Sequence, residues 1–381
     1  MSLKFLKLGL VLAFWSIFIS SCSGGVSDPD SPSTDIDKPT PTTKEHFAGT
    51  WVTNVGTNVL DSKANIEECV ATCKKYHINN IYVCVWNKGM TLYPSKVIKE
   101  MTGIEQMDNF VGRDPLKDMI EVAHKQGIKV HAWFEYGFAS GNGQAGPLLT
   151  KNPLWASKDQ NGKDLVKNNF HWMNAFMPEV QNFILSLVSE VVKNYDVDGI
   201  QGDDRLPALP SEGGYDEYTV NMYKKEHTGS TPSLNTKDAA WVDWRCAKLT
   251  QFMEKLYTTV KSIKPSIIVS SAPGIYPWAK NEYLQDWPTW LNKGYIDYVI
   301  PQIYRYDIAN YRSTLAQQVK VAGSNSKKLY AGMLIKNGTY KPEVSFIKGM
   351  IEANRSNSIT GECFWYYNGL KENDVFFQTY K

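Results

Sequence analysis

From Phe47 onward, short apolar runs rich in Val, Ile, Tyr and Trp alternate with longer stretches in which apolar residues recur every three or four positions. Short continuous runs suit strands buried in a parallel sheet, and steps of three and four suit helices with one apolar stripe. Strands are predicted over 49–54, 80–86, 128–135, 196–204, 267–272, 296–304, 328–334 and 361–366. Between them, Ile66, Val70, Cys73 and Tyr76 share a helix face, and Asp114-Pro115 supplies a good N-cap and a good first residue for a second helix. Pro178 opens a third, with Val180, Phe183, Ile184, Leu187, Val188, Val191 and Val192 on one stripe. Further helices are predicted over about 238–264, 308–321 and 343–354. Eight strands with helices between them predict an α/β fold, a single (β/α)8 TIM barrel of about 330 residues. A doubly wound open sheet is the rival, and it lacks the glycine-rich phosphate loop after its first strand.

The first residues follow a different pattern. A basic start at 1–7 precedes an apolar run from Leu8 to Ile19 and then Ser20-Ser21-Cys22. That order predicts a secretory signal over 1–21, since the run is too short to span a bilayer comfortably. Ile19-Ser-Ser-Cys22 resembles the lipobox of bacterial lipoproteins. The resemblance implies that Cys22 is lipidated and holds the chain on a membrane of the bacterial cell envelope, the outer membrane first. An ordinary signal cleaved nearby, or an uncleaved anchor, is the other reading. Residues 22–45 are rich in Ser, Gly, Asp, Pro, Thr and Lys and cannot bury enough surface to offset their ordering entropy, so they read as a tether before a barrel over 46–381.

Composition narrows the chemistry. With 41 basic and 39 acidic residues the chain shows no electrostatic footprint for nucleic acid. Twelve Trp and 21 Tyr supply flat apolar faces with polar edges, which suit sugar rings as well as cores. Beyond Cys22, the cysteines are Cys69, Cys73, Cys84, Cys246 and Cys363, an odd number without a CxxC pair, and no two of the six His form H-x-H at a strand end. Neither a metal nor another cofactor is expected.

In a (β/α)8 barrel, chemistry sits at the C-terminal ends of the strands. The fourth strand runs directly into Asp203-Asp204, two like charges beside a core. Side-chain alternation places Gln201 and Asp203 on one face, so that a lumen-facing Gln201 could hold Asp203. On the third strand the same alternation aligns His131, Trp133 and Glu135, with Glu135 at the mouth. Two carboxylates across an aromatic-lined cleft are what glycoside hydrolysis requires. Asp203 is the expected nucleophile or base, Glu135 the expected acid and Asp204 a supporting carboxylate. Trp86, His131, Trp133, Gln201, Gln302, Tyr304, Asp307 and Trp365 are the expected substrate-binding residues, with the loop from Phe138 to about 172 as a wall. The plainer alternatives are a Glu135 paired at the rim, an Asp204 capping its own loop and a His131 satisfied in the core.

Trp51-Val-Thr-Asn54, Asp114-Pro-Leu-Lys-Asp-Met-Ile-Glu-Val-Ala-His-Lys-Gln-Gly127, Val130-His-Ala-Trp133, Pro178-Glu-Val180, Tyr195-Asp-Val-Asp-Gly-Ile200, Asp203-Asp204, Ile296-Asp-Tyr298 and Pro301-Gln-Ile-Tyr304 together resemble the glycosyl hydrolase-like 10 family. The resemblance implies a (β/α)8 barrel in extracytoplasmic bacterial proteins acting on carbohydrate, distantly similar to barrels of the alpha-amylase type. In the latter, the pattern Asp-Gly-aromatic-Arg-x-Asp ends in the nucleophile; Asp198-Gly-Ile-Gln-Gly-Asp203 matches it with Ile200 for the aromatic residue and Gln201 for Arg, which implies the same role for Asp203. The chain departs from the family at Cys84-Val-Trp86 in place of Gln-Val-Arg, at Gln201 in place of His and at Glu135 in place of Asn. Two functions remain in view: a glycoside hydrolase of an oligo- or polysaccharide, and a surface glycan-binding lipoprotein that keeps the barrel without the chemistry.

Overall fold

The computed structural model describes residues 46–380. The expected signal, Cys22 and the tether lie outside the described residues. Eight parallel strands form the centre: β1 Phe47–Val52, β2 Asn80–Cys84, β3 Lys129–Phe134, β4 Gly199–Gly202, β5 Ile268–Ser271, β6 Tyr298–Val299, β7 Ala331–Leu334 and β8 Gly361–Trp365. They pair in the order β6-β5-β4-β3-β2-β1-β8-β7. At the seam, β6 and β7 are joined by two isolated bridges, in which Tyr330 N donates to Val299 O and Gly332 N to Pro301 O, both at 3.0 Å. The sheet therefore curls round into the (β/α)8 barrel that the apolar periodicity predicts.

The principal returning helices are α1 Lys63–Lys75, α2 Pro115–Lys125, α3 Pro178–Asn194, α4 Ala239–Ile263, α5 Trp287–Lys293, α6 Ile308–Ala322 and α7 Val344–Ser356. Their starts are written in the sequence. Ser62, Asp114, Asp238 and Asp307 each accept a bond from the backbone N–H three residues on, satisfying a donor that the first turn would leave unpaired. The stripe on α3 is buried as its spacing demands, and Cys69 and Cys73, one turn apart on α1, are buried free thiols that pack against the core.

Two segments differ from expectation. The sixth strand, predicted over 296–304, keeps only Tyr298–Val299 in the ladder, because Pro301 has no N–H to donate and turns the chain. Gln302 N instead bonds Pro273 O at 2.9 Å and Ile303 N bonds Gly332 O at 2.9 Å. The predicted irregular loop after β3 forms an antiparallel three-stranded sheet of Ala139–Asn142, Phe170–Trp172 and Val166–Lys167. That wall of the cleft is thus a structured element with its own ladder.

At the N-terminal end of the barrel two acidic residues tie strands to helices. Asp198 accepts from Val130 N at 2.8 Å and from His124 Nε2 at 2.9 Å. Asp297 accepts from Val269 N at 2.8 Å and from Lys261 Nζ at 2.9 Å. A third carboxylate there, Glu362 on β8, is fully buried and is held by Arg355, Asn354, Tyr380 and His46.

Candidate active site

Gly202 ends β4, and a Cβ there would lie 2.2 Å from the carbonyl oxygen of Leu206. The missing side chain lets residues 203–206 fold back over the strand end in a tight turn, with Leu206 N bonded to Asp203 O at 3.1 Å. The turn carries Arg205 inward. Its Nε donates to the Glu135 carbonyl at 3.0 Å, and its guanidinium lies over the rings of Tyr136 and Phe170 at 5.3 and 4.9 Å.

Three carboxylates converge on this guanidinium. One terminal nitrogen lies 3.3 Å from Asp203 Oδ2 and 3.6 Å from Glu135 Oε1, and the other lies 3.1 Å from Asp204 Oδ1. The Asp203 and Glu135 oxygens that face the shared nitrogen are therefore at most about 6.9 Å apart. With Val55, Lys88, Asn142, Gln302, Tyr304 and Trp365 they line a cleft of about 380 Å³.

Asp203 is surrounded by donors. Gln302 Nε2 and Asp204 N both donate to its Oδ1 at 2.8 Å. Burial nonetheless pushes its pKa well above the usual carboxylate range, the charge of Asp204 pushes the same way, and Arg205 opposes both. Glu135 is also pushed upward, chiefly by burial, against the pull of Arg205, Asn87 and Cys84. Its Oε2 accepts from Asn87 Nδ2 at 2.7 Å and Cys84 Sγ at 3.3 Å, whereas Oε1 has only the 3.6 Å approach of Arg205, too long for a hydrogen bond. Oε1 is thus the oxygen positioned to carry a proton.

The expected residues divide by depth. Glu135, Asp203, Asp204, Gln302, Tyr304 and Trp365 come together at the mouth. Trp133, fully buried, meets Trp365 edge to face at 5.9 Å beneath the cleft, and its Nε1, like the hydroxyl of Tyr304, has no partner among the described residues. Gln201 is buried beneath, and the expected bond to Asp203 is replaced by others: it accepts from Trp51 Nε1 at 2.8 Å and donates to Ser270 Oγ at 3.2 Å. Gln302, from the next strand but one, does the work expected of it.

Three expectations are corrected by position. His131 lies deep in the lumen, fully buried, stacked on Tyr82 at 4.6 Å with Nε2 3.0 Å from Asn80 Oδ1, and burial lowers its pKa to about 4. Trp86 is fully buried against Phe183 on α3, its Nε1 donating to Gly137 O at 2.9 Å, so it packs the outer layer. Asp307 caps α6 outside the cleft. The residues that sequence reasoning misses are Arg205, Asn87, Tyr136 and Phe170. A cation directly after two carboxylates was a usable signal for Arg205; for the other three nothing local marks the role. Among the described residues no group of three or more His, Cys, Asp or Glu is disposed to hold a metal ion.

Solved structures share this fold. The glycoside hydrolase domain of PgaB (BpsB) from Bordetella bronchiseptica superposes with a TM-score of 0.66 at 13% identity, covering 88% of this chain and 98% of that domain. The catalytic domain of β-amylase from Paenibacillus polymyxa gives 0.63 at 12% identity, over 88% and 97%. In sequence, the glycosyl hydrolase DigH of Escherichia coli K12 is 29% identical over 297 residues, 68% of this chain and 64% of its own length. The glycosyl hydrolase YngK of Bacillus subtilis is 25% identical over 281 residues, 67% of this chain and 51% of its own length. This chain therefore spans about half to two thirds of the curated relatives it matches. The glycosyl hydrolase-like 10 description matches residues 46–347, which run from β1 through β7 to the first turn of α7, and the chain belongs to that family.

Proposed function

We propose that this protein hydrolyses glycosidic bonds of an oligo- or polysaccharide, with Glu135 as general acid and Asp203 as nucleophile or base. The observation that carries the reading is the pair itself: a buried Asp203 and a mostly buried Glu135 on adjacent strand ends, both within reach of one arginine nitrogen, beside the aromatic Tyr304 and Trp365. Gln302, Asp204 N and Arg205 donate to Asp203 and support its ionised form against the opposing effects of burial and the Asp204 charge, and Glu135 Oε1 is left to hold and deliver the proton. Tyr304 lines the cleft, and its hydroxyl, without a partner among the described residues, is the polar group left for a sugar hydroxyl. The lipobox-like Ile19-Ser-Ser-Cys22 supports a place at the cell envelope, held by a lipid on Cys22.

A second reading, glycan binding without turnover, is favoured by one observation: Arg205 stands where a glycosidic oxygen would have to enter between the two acids. Hydrolysis requires that this side chain swing aside. A reducing-end assay on the purified protein against a polysaccharide panel separates the two. Product from the wild type, abolished in Asp203→Asn with thermal stability retained, supports hydrolysis; undiminished product from that variant overturns the assignment, and binding without product points to the second reading.

A further inference from the structure

Outside the cleft, the rim of the barrel carries a second groove of about 630 Å³ between the loops that follow β6 and β7 and the first turns of α6 and α7. Its most prominent feature is a pair of tyrosines. Tyr306 and Tyr340 meet edge to face at 4.8 Å, and Tyr306 is 61% exposed, an unusual fraction for a ring that could have been packed. The Tyr306 hydroxyl accepts from Asn337 Nδ2 at 3.3 Å, which fixes the ring across the gap between the two loops. Arg312 and Lys341 line the same groove and make no ion pair among the described residues.

Both walls of the groove grow out of the cleft. Tyr304, which lines the cleft and lies 6.0 Å from Trp365, is two residues before Tyr306, so the two Cα atoms are at most about 7 Å apart. On the other side, Lys336 N bonds the carbonyl of Trp365 at 3.1 Å, one residue before Asn337. The groove thus begins where the cleft ends, on the same face of the barrel. Its charged lining, Arg312 and Lys341 against Asp307 and Glu343, balances in sign, and Asp307 is already committed to Asn310. An exposed aromatic face flanked by free hydrogen-bond donors and without net charge suits a neutral sugar ring, which presents an apolar C–H face and polar edges.

We propose that this groove is an outer sugar-binding subsite, in which Tyr306 and Tyr340 hold units of a neutral glycan chain whose neighbouring unit occupies the Asp203 cleft. The occupant follows from the carbohydrate reading of the cleft, and the groove adds chain length to it: a long glycan gains contacts that a short one lacks. The exposed position of Tyr306 means that its removal leaves the fold intact.

Affinity electrophoresis of the full chain through gels containing laminarin, arabinoxylan, galactomannan, glycol chitin or polygalacturonate tests this. The expected result is retardation of the wild type by at least one neutral polysaccharide, weakened at least fivefold in Tyr306→Ala and in Tyr306→Ala/Tyr340→Ala. Retardation by polygalacturonate alone, by none of the polymers, or equally in all variants overturns the groove. Tyrosine-dependent retardation without product release by the wild type upholds the groove while removing the hydrolase reading, so the two fail separately.

Discussion

Glu135 illustrates how one carboxyl can be prepared by its surroundings. Burial raises its pKa above the ordinary 4.5, so its acid form persists to higher pH than that of a solvated glutamate. A general acid must be protonated to act, and activity should therefore fall as pH rises through that elevated value. Replacement by Gln should lower kcat by about 10²–10⁴-fold and remove this alkaline limb. An aryl glycoside, whose leaving group departs without a proton, should lose much less. A pH–rate profile of Glu135→Gln on both substrate types checks this, and an alkaline limb that survives would assign the acid elsewhere. Arg205 acts in the opposite sense on the same group, since its charge stabilises the ionised forms of Glu135 and Asp203.

Among the elements, β3 and β4 show what the sequence makes legible. Their existence, direction and lumen-facing residues follow from apolar runs and alternation, and His131, Trp133 and Glu135 do share one face. What alternation lacks is depth. Each lumen-facing step of two residues descends about 6–7 Å, so His131 lies about 13 Å below Glu135, in a packed layer with Tyr82 and Gly199. Residues such as Arg205 and Phe170 reach the site through turns and a small sheet whose geometry no local pattern encodes. The Asp198-Gly199 pair now has a packing explanation. A Cβ on Gly199 would sit 2.1 Å from Nδ1 of His131, and Asp198 ties β3 to α2. Gly199→Ala should cost about 1–3 kcal/mol by overpacking, with the loss reduced when His131 is also shortened to Ala. Thermal denaturation of the single and double variants measures both quantities; equal stability of Gly199→Ala and wild type would refute the clash.

At the scale of the whole molecule, acid stability depends on Glu362. Burial alone would raise its pKa, but hydrogen bonds from His46 and Arg355, with the Arg355 charge, outweigh burial and hold it at about 2. The folded value is depressed below the unfolded 4.5, so the stabilisation is complete above pH 4.5 and disappears as pH falls toward 2. The shift corresponds to about 3 kcal/mol. Glu362→Gln should lower Tm at pH 7, and the gap to wild type should narrow below pH 4.5. Thermal scans from pH 7 to pH 3 read this directly, and a gap independent of pH would place the effect in packing alone.

The seam between β6 and β7 has a mechanical meaning of its own. The barrel is a ring tied shut at one place by two knots, at Val299 and Pro301, while its other joints are continuous ladders. Tyr304 and Tyr306 hang from one tied end and Asn337 from the other, so any widening at the knots moves the wall of the cleft and the wall of the groove together.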